Sequence, residues 1–289
     1  IGALVWRWRN IITAQQKKSP NYWELCRYFL VAYAVSYVTP GAKIGGELFR
    51  AGLLARHNSF KEASSTVFID KTIEMSVMGT FFIIGAALLL LMHAAPAGAT
   101  AWMTTIALLL LVLIILFYYQ MFSGKDFIGK LFKLTQLHRT KQGKKWSRSI
   151  HEFEQLILQF YAKDKRHFFS AVLLSLLSIA LTFIEYSIVL RILGVENVTI
   201  LPLFLVITFI GAAYLIPIPM ALGTLEAGQV GVFRMIGLPG AAGIGVAIIT
   251  RMKDIVLSII GFTLMGFYGL HLGKNVLRKK KKGKIRWDF

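Results

Sequence analysis

Apolar residues fall along this chain in long blocks rather than in the stripe of an amphipathic helix or the alternation of a half-buried strand. Five blocks approach or exceed the ~20 residues needed to cross a ~30 Å hydrocarbon core: Met75–Met92, Trp102–Phe122, Phe168–Leu190, Ile200–Pro219 and Ile255–Gly273. They predict membrane-crossing helices, and a signal peptide cannot account for five of them. A further apolar piece, Tyr28–Val38, runs eleven residues before Thr39-Pro40-Gly41 and is too short to cross. One segment has a helical stripe: Ile150, Phe153, Ile157, Phe160 and Tyr161 share a face with polar residues opposite, which predicts a helix lying on the membrane surface. Lys133–Lys145, just before it, reads either as part of that helix or as a linker.

Composition agrees with the pattern. Over 289 residues the chain is 56% hydrophobic with mean hydropathy +0.61, above the roughly 45–50% of soluble domains. The fold class expected is an all-α polytopic membrane protein in a single transmembrane domain. Ile1–Trp6 reads as the end of an earlier apolar segment.

The net charge of +19 changes the picture through its placement. Eleven Lys or Arg stand against four acids between Phe122 and His167, and Arg278-Lys279-Lys280-Lys281-Lys282 follows the last apolar block. Positive charge at the ends of spans marks the cytoplasmic side and its anionic lipids. With no stacking or base-reading module, nucleic acid is not an expected partner. The stretch from Arg7 to Arg27, with Lys17 and Lys18, then counts as cytoplasmic, and HAAPAGAT and GVENVT, free of Lys and Arg, face outside. Asn197-Val198-Thr199 matches a glycosylation sequon by chance.

On this threading two segments leave on the side they entered. Tyr28–Val38 is followed by Pro40-Gly41 and by a basic Arg56-His57, and Ile200–Ile216 breaks at Pro217 and Pro219 before Gly223. Both predict re-entrant helical hairpins, with Pro40, Gly41, Pro217, Pro219 and Gly223 at the turns. The two interruptions match in spacing. Glu47 lies seven residues after Pro40 and Glu226 seven after Pro219. A base follows 31 or 32 residues after each proline (Lys71, Arg251), and an acid 34 or 35 after (Glu74, Asp254). Three spans separate the hairpins, so the second copy is inverted relative to the first: repeat one at about 28–122, the basic loop 123–166, repeat two at about 168–273 and the tail 274–289. Paired, Pro/Gly-broken segments in inverted repeats mark a binding site near the midplane.

Intramembrane charges are the candidate chemistry. Lys43, Glu47, Arg50, Asp70, Lys71, Glu74, Glu185, Glu226, Arg234, Arg251, Lys253 and Asp254 fall within or near the apolar segments. Each costs about 2.5–3.5 kcal/mol at a helix centre unless paired or wet, so they face inward. Glu47 and Glu226 read either as helix-start carboxylates on free backbone N–H groups or as site residues. Asp70 and Glu74 lie four apart on one helix face and repel, so a base from elsewhere, Arg251 or Arg50, is needed. The cluster reads as structural ion pairing or as a substrate path. One cysteine, Cys26, excludes an internal disulfide and a thiolate cluster, scattered histidines give no metal spacing, and no Walker motif is present, so no cofactor or metal is expected. Gly41/Gly45 and Gly269/Gly273 permit close helix packing.

TPGAKIGGELFRAGLLAR, VFIDKTIEM and LIPIPMALGTLEAG resemble the flippase-like integral membrane family that includes the membrane region of lysylphosphatidylglycerol synthases. Pro40, Gly41, Gly46, Glu47, Leu48 and Arg50 supply its first signature. Asp70, Lys71 and Glu74 match its acid-Arg-x-x-acid, with lysine for the usual arginine. Pro217, Pro219, Gly223, Glu226, Ala227 and Gly228 match the third, with Met220 and Ala221 in place of glycines; Arg251 matches a later arginine. The resemblance covers nearly the whole chain. It implies movement of a polar-headgroup lipid between leaflets of the cell membrane, with Lys43, Arg50, Arg234 and Arg251 to hold a phosphate and Glu47, Asp70, Glu74, Glu226 and Asp254 to orient those bases or bind a cation. Membrane lipids, anionic phospholipids among them, and a lipid-modifying enzyme are the partners implied. A membrane-embedded enzyme or enzyme subunit acting on an aminoacylated or glycosylated lipid is the alternative, and a receptor or scaffold a third reading.

Overall fold

A computed structural model describes residues 1–15, 19–39, 45–93, 98, 100–124, 141–195, 199–213 and 218–281. Every regular element among them is helical: α1 (Gly2–Gln15), α2 (Tyr22–Val38), α3 (Gly45–Leu54), α4 (Phe60–Leu91), α5 (Thr100–Phe122), α6 (Lys141–Lys163), α7 (Lys165–Ile192), α8 (Ile200–Ala213), a 3₁₀ turn (Pro219–Ala221), α9 (Thr224–Met235) and α10 (Gly240–Lys281). Pro40, Gly41, Lys43, Pro217 and Lys282 lie outside the described residues.

Three of the five apolar blocks lie in helices long and apolar enough to cross a membrane: α4, α5 and α7. Along α5 only Met103 and Met121 are buried, while Leu108, Leu109, Ile115 and Leu116 face outward. A surface this apolar marks a membrane or protein contact, and α5 is long and apolar enough to cross a membrane. The 32-residue α4 has two parts. Its first half carries Asp70, Lys71 and Glu74 and is packed by protein; its second half is apolar and mostly half-buried, with Gly85, Ala86 and Leu89 buried. A capping box, Ser59 with Glu62, fixes where α4 starts. The block Ile200–Pro219 yields a 14-residue helix that ends at Ala213, and Ile255–Gly273 sits inside the 42-residue α10.

Helix α2 begins six residues before the apolar piece predicted, because the Asn21 side chain accepts from Glu24 N and caps it. It folds back on α3. At one end the Gly46 amide donates to Ser36 Oγ at 3.0 Å; at the other His57 Nε2 lies 3.1 Å from Glu24 Oε1 and 3.3 Å from the Tyr28 hydroxyl. The two are therefore antiparallel neighbours. Gly46 makes this approach possible, since a Cβ there would stand 1.9 Å from the Ala32 carbonyl oxygen. In the second half of the chain α9 and α10 are antiparallel as well, joined through Gly237 and Pro239 and linked by Arg251 to Glu226.

The helix carrying Ile150–Tyr161 corrects an expectation. Ile157, Phe160 and Tyr161 of α6 are buried, but against Ile11, Ile69, Ile73, Met121 and Phe168 of α1, α4, α5 and α7 rather than against a membrane surface. Rings of Phe117, Tyr118, Phe122, Tyr161 and Phe168 stack edge to face around it. The stripe was real, and its partner is the protein.

Candidate functional site

Six charged side chains from α1, α3 and α4 close into a ring in which bases and acids alternate. Arg7 Nε donates to Asp70 Oδ1 at 2.7 Å. Arg50 donates to Asp70 Oδ2 at 2.8 Å and to Glu47 Oε2 at 2.9 Å. Lys71 Nζ lies 3.9 Å from Glu47 and 2.9 Å from Glu74. Arg7 Nη2 donates to Glu74 at 2.8 Å and returns the circuit to its start. Each acid therefore meets two bases and each base two acids, and the six charges sum to zero. Arg7 also donates to Ser175 Oγ of α7 at 3.1 Å. The Arg50 guanidinium lies over Trp8, 4.3 Å from the ring centroid, and 5.0 Å from that of Phe29, so aromatic faces cover what the carboxylates do not.

The helices dictate this geometry. Glu47 and Arg50 are three apart on α3, and Asp70 and Glu74 four apart on α4, so each pair shares a face. The like charges of Asp70 and Glu74 are tolerable because Arg7 stands between them, bonded to both. Burial falls off across the ring. The side chains of Arg7 and Asp70 are 1% and 0% exposed, whereas those of Glu47, Lys71 and Glu74 are 17%, 20% and 27% exposed. The five short links are charge-assisted hydrogen bonds of ordinary length. The Lys71–Glu47 link is Coulombic only and lies on the open edge.

A second cluster surrounds the broken segment in the other half. Arg251 of α10 makes a two-pronged ion pair with Glu226 of α9, one prong through Nη2 to Oε2 at 2.9 Å. It also donates to the carbonyls of Met220 at 2.7 Å and Ala221 at 2.9 Å. Both residues, with Gly223, have positive φ (57°, 48° and 77°). The turn is thus held in left-handed backbone, and Gly223 caps α9. Tyr33 of α2 donates to Asp254, and Tyr37, one turn on, lies close enough to Arg251 to interact with it electrostatically. Helix α2 therefore reaches from the first interruption to the second cluster. Lys253 pairs with Glu185 in the open.

The structure thus joins Glu47, Arg50, Asp70, Lys71 and Glu74, and separately Glu226 and Arg251 with Asp254 nearby on α10. Arg50 is a partner of Asp70; Arg251 is not, being committed to Glu226. Arg234 is exposed at the end of α9, apart from both clusters. Pro219 opens the 3₁₀ turn. Arg7, Ser175, Trp8, Tyr33 and Tyr37 were not foreseen. Arg7 was counted among charges that set topology, yet its spacing to Ile11, and that of Trp8 to Ile12, on one short helix was a signal that it faces inward.

Comparison with protein families matches residues 1–261 to the lysylphosphatidylglycerol synthase TM region. The chain belongs to that family. It is accordingly an integral membrane protein linked to lipid handling, and the signature residues quoted above all lie within the matched span. Neither the curated proteins nor the solved structures give a match.

Within a member of this family, a closed, neutral ring of charge has a simple energetic reason. Isolated ions in an apolar interior cost several kcal/mol each even after relaxation, and alternating partners offset that cost.

Proposed function

We propose that this chain is a lipid translocator that carries a polar headgroup between leaflets by alternating access, using two oppositely inserted re-entrant hairpins, α2–α3 and α8–α9. The observation that carries the reading is the charged ring, placed inside an apolar helical protein with Lys71 of its open edge on the same face of α4 as outward-facing Met75 and Met78. A headgroup at that edge would leave its acyl chains in lipid.

The two halves also support it by being unequal. By spacing, Lys71–Glu47 in the first half corresponds to Arg251–Glu226 in the second. The first link is a loose ion pair at 3.9 Å while the second is a two-pronged pair. A loose link and a tight one at matching positions are what rocking of one repeat against the other would produce. The basic segment 123–166 and the tail would then lie on the cytoplasmic side, against anionic phospholipids, and a lipid-modifying enzyme would supply the lipid carried.

The test is reconstitution of the purified chain in liposomes containing a headgroup-labelled lipid, with label accessibility followed from outside and the lipid recovered for mass analysis. Exchange of intact lipid above protein-free vesicles supports translocation. Chemical conversion of the headgroup without exchange supports an enzyme instead.

A further inference from the structure

The ring's alternation restricts what can be inserted into it, and this deepens the reading above. Opening the circuit at its long link leaves an acid, Glu47, facing a base, Lys71. A purely anionic headgroup placed there would satisfy Lys71 and stand against Glu47; a purely cationic one would do the reverse. Only a group that carries a cation and an anion in sequence restores alternation, its cation on Glu47 and its anion on Lys71. We infer that the Lys71–Glu47 edge binds a zwitterionic lipid headgroup, an ammonium joined to a phosphodiester, by inserting it as two further members of the ring.

Three observations on this edge converge. Among the six links, this is the one longer than a hydrogen bond, so a ligand displaces a weak contact rather than a strong one. The other neighbours of both residues are already fixed: Glu47 keeps Arg50 at 2.9 Å and Lys71 keeps Glu74 at 2.9 Å, so each presents its remaining valence outward without losing its place. The surroundings point to a lipid rather than a soluble zwitterion. Met75 and Met78, 51% and 53% exposed, lie on the same face of α4 as Lys71. A charged notch with an apolar rim fits a headgroup that has acyl chains attached.

The neutrality of the ring accounts for selectivity. Its six charges sum to zero, with Arg7, Asp70 and Arg50 closed to solvent and Glu47, Lys71 and Glu74 on the open side. A ligand of net charge upsets this balance in a low-dielectric setting; a neutral zwitterion does not.

The experiment uses the full chain in vesicles of matched acyl chains and compares binding, by retention of labelled lipid on the purified protein, of an ethanolamine-headgroup lipid, an anionic glycerol-headgroup lipid and a cationic trimethylammonium lipid. Wild type is expected to favour the zwitterion about tenfold over either charged lipid. Glu47→Gln is expected to raise retention of the anionic lipid toward that of the zwitterion, and Lys71→Gln to raise that of the cationic one. A purely structural role would lower all three together, and Lys71→Arg, which keeps the charge, is expected to keep the wild-type order. Equal retention of the three lipids by wild type, or parallel losses in the two Gln variants, overturns the inference. Soluble phosphoethanolamine at the lipid's concentration is expected not to compete; equal competition overturns the assignment to a lipid. Binding preference without leaflet exchange would sink the translocator reading alone, and exchange without preference would sink this inference alone.

Discussion

Arg7 and Asp70, sixty-three residues apart in the chain, meet at 2.7 Å with neither side chain more than 1% exposed. Around that contact three helices are fixed: α1 supplies the base, α4 the acid, and α3 a second base, Arg50, on the other carboxylate oxygen. Removing the carboxylate leaves two buried guanidiniums short of a counter-ion.

Asp70→Asn is therefore expected to destabilise the protein by about 3–5 kcal/mol, as loss of one partner from a buried ion network does. Thermal unfolding in detergent, followed by tryptophan fluorescence, reads it. Glu74→Gln should cost clearly less, since Glu74 is partly open and Arg7 retains Asp70. Equal effects of the two would contradict the order of burial found across the ring.

Arg7→Lys tests the fork. One guanidinium reaches Asp70, Glu74 and Ser175 through three separate nitrogens, and the single nitrogen of an ammonium cannot. A loss of about 1.5–3 kcal/mol, the worth of one charged hydrogen bond, is expected. Arg9→Lys, at an exposed position two residues along, should leave the unfolding temperature unchanged.

Gly46→Ala and Gly52→Ala separate close approach from helix propensity. A methyl group at Gly46 would collide with the Ala32 carbonyl, whereas at Gly52 it meets nothing within 4 Å. The first should destabilise by about 1–3 kcal/mol through forced separation of α2 and α3. The second should be neutral or stabilising by up to about 1 kcal/mol. The same unfolding measurement distinguishes them.

Arg251→Lys addresses the second cluster. It keeps a charge near Glu226 but cannot also hold the carbonyls of Met220 and Ala221, so the left-handed turn loses its tether. Because the pair is partly exposed, global stability should fall by no more than about 1 kcal/mol. Amide hydrogen exchange across 218–224 should rise well above wild type, and no change there would show that the turn stands without Arg251.

Much of this architecture was legible in the chain. Blocks of apolar residues are visible to any window of span length, and α4, α5 and α7 follow from them. The need for a base beside Asp70 and Glu74 followed from like charges four apart, and Arg50 is one that answers it. What remained hidden depends on contacts between distant segments. Arg7 looks like a topological marker until α1 is packed on α4 and α7; the apolar stripe of α6 looks the same whether lipid or protein covers it. Nothing in one sequence says that Tyr33 and Tyr37, one turn apart on α2, meet Asp254 and Arg251. Periodicity reports which face is inward, and only packing reports what it faces.

Leaflet exchange of a headgroup-labelled lipid in vesicles carrying wild type, Lys71→Gln or Arg251→Gln is the most direct test of the account. It predicts exchange well above protein-free vesicles for wild type and a fall of at least tenfold in each variant, with all three proteins still folded by their unfolding curves. Wild-type exchange no faster than in empty vesicles, or folded variants that exchange lipid at the wild-type rate, would contradict it.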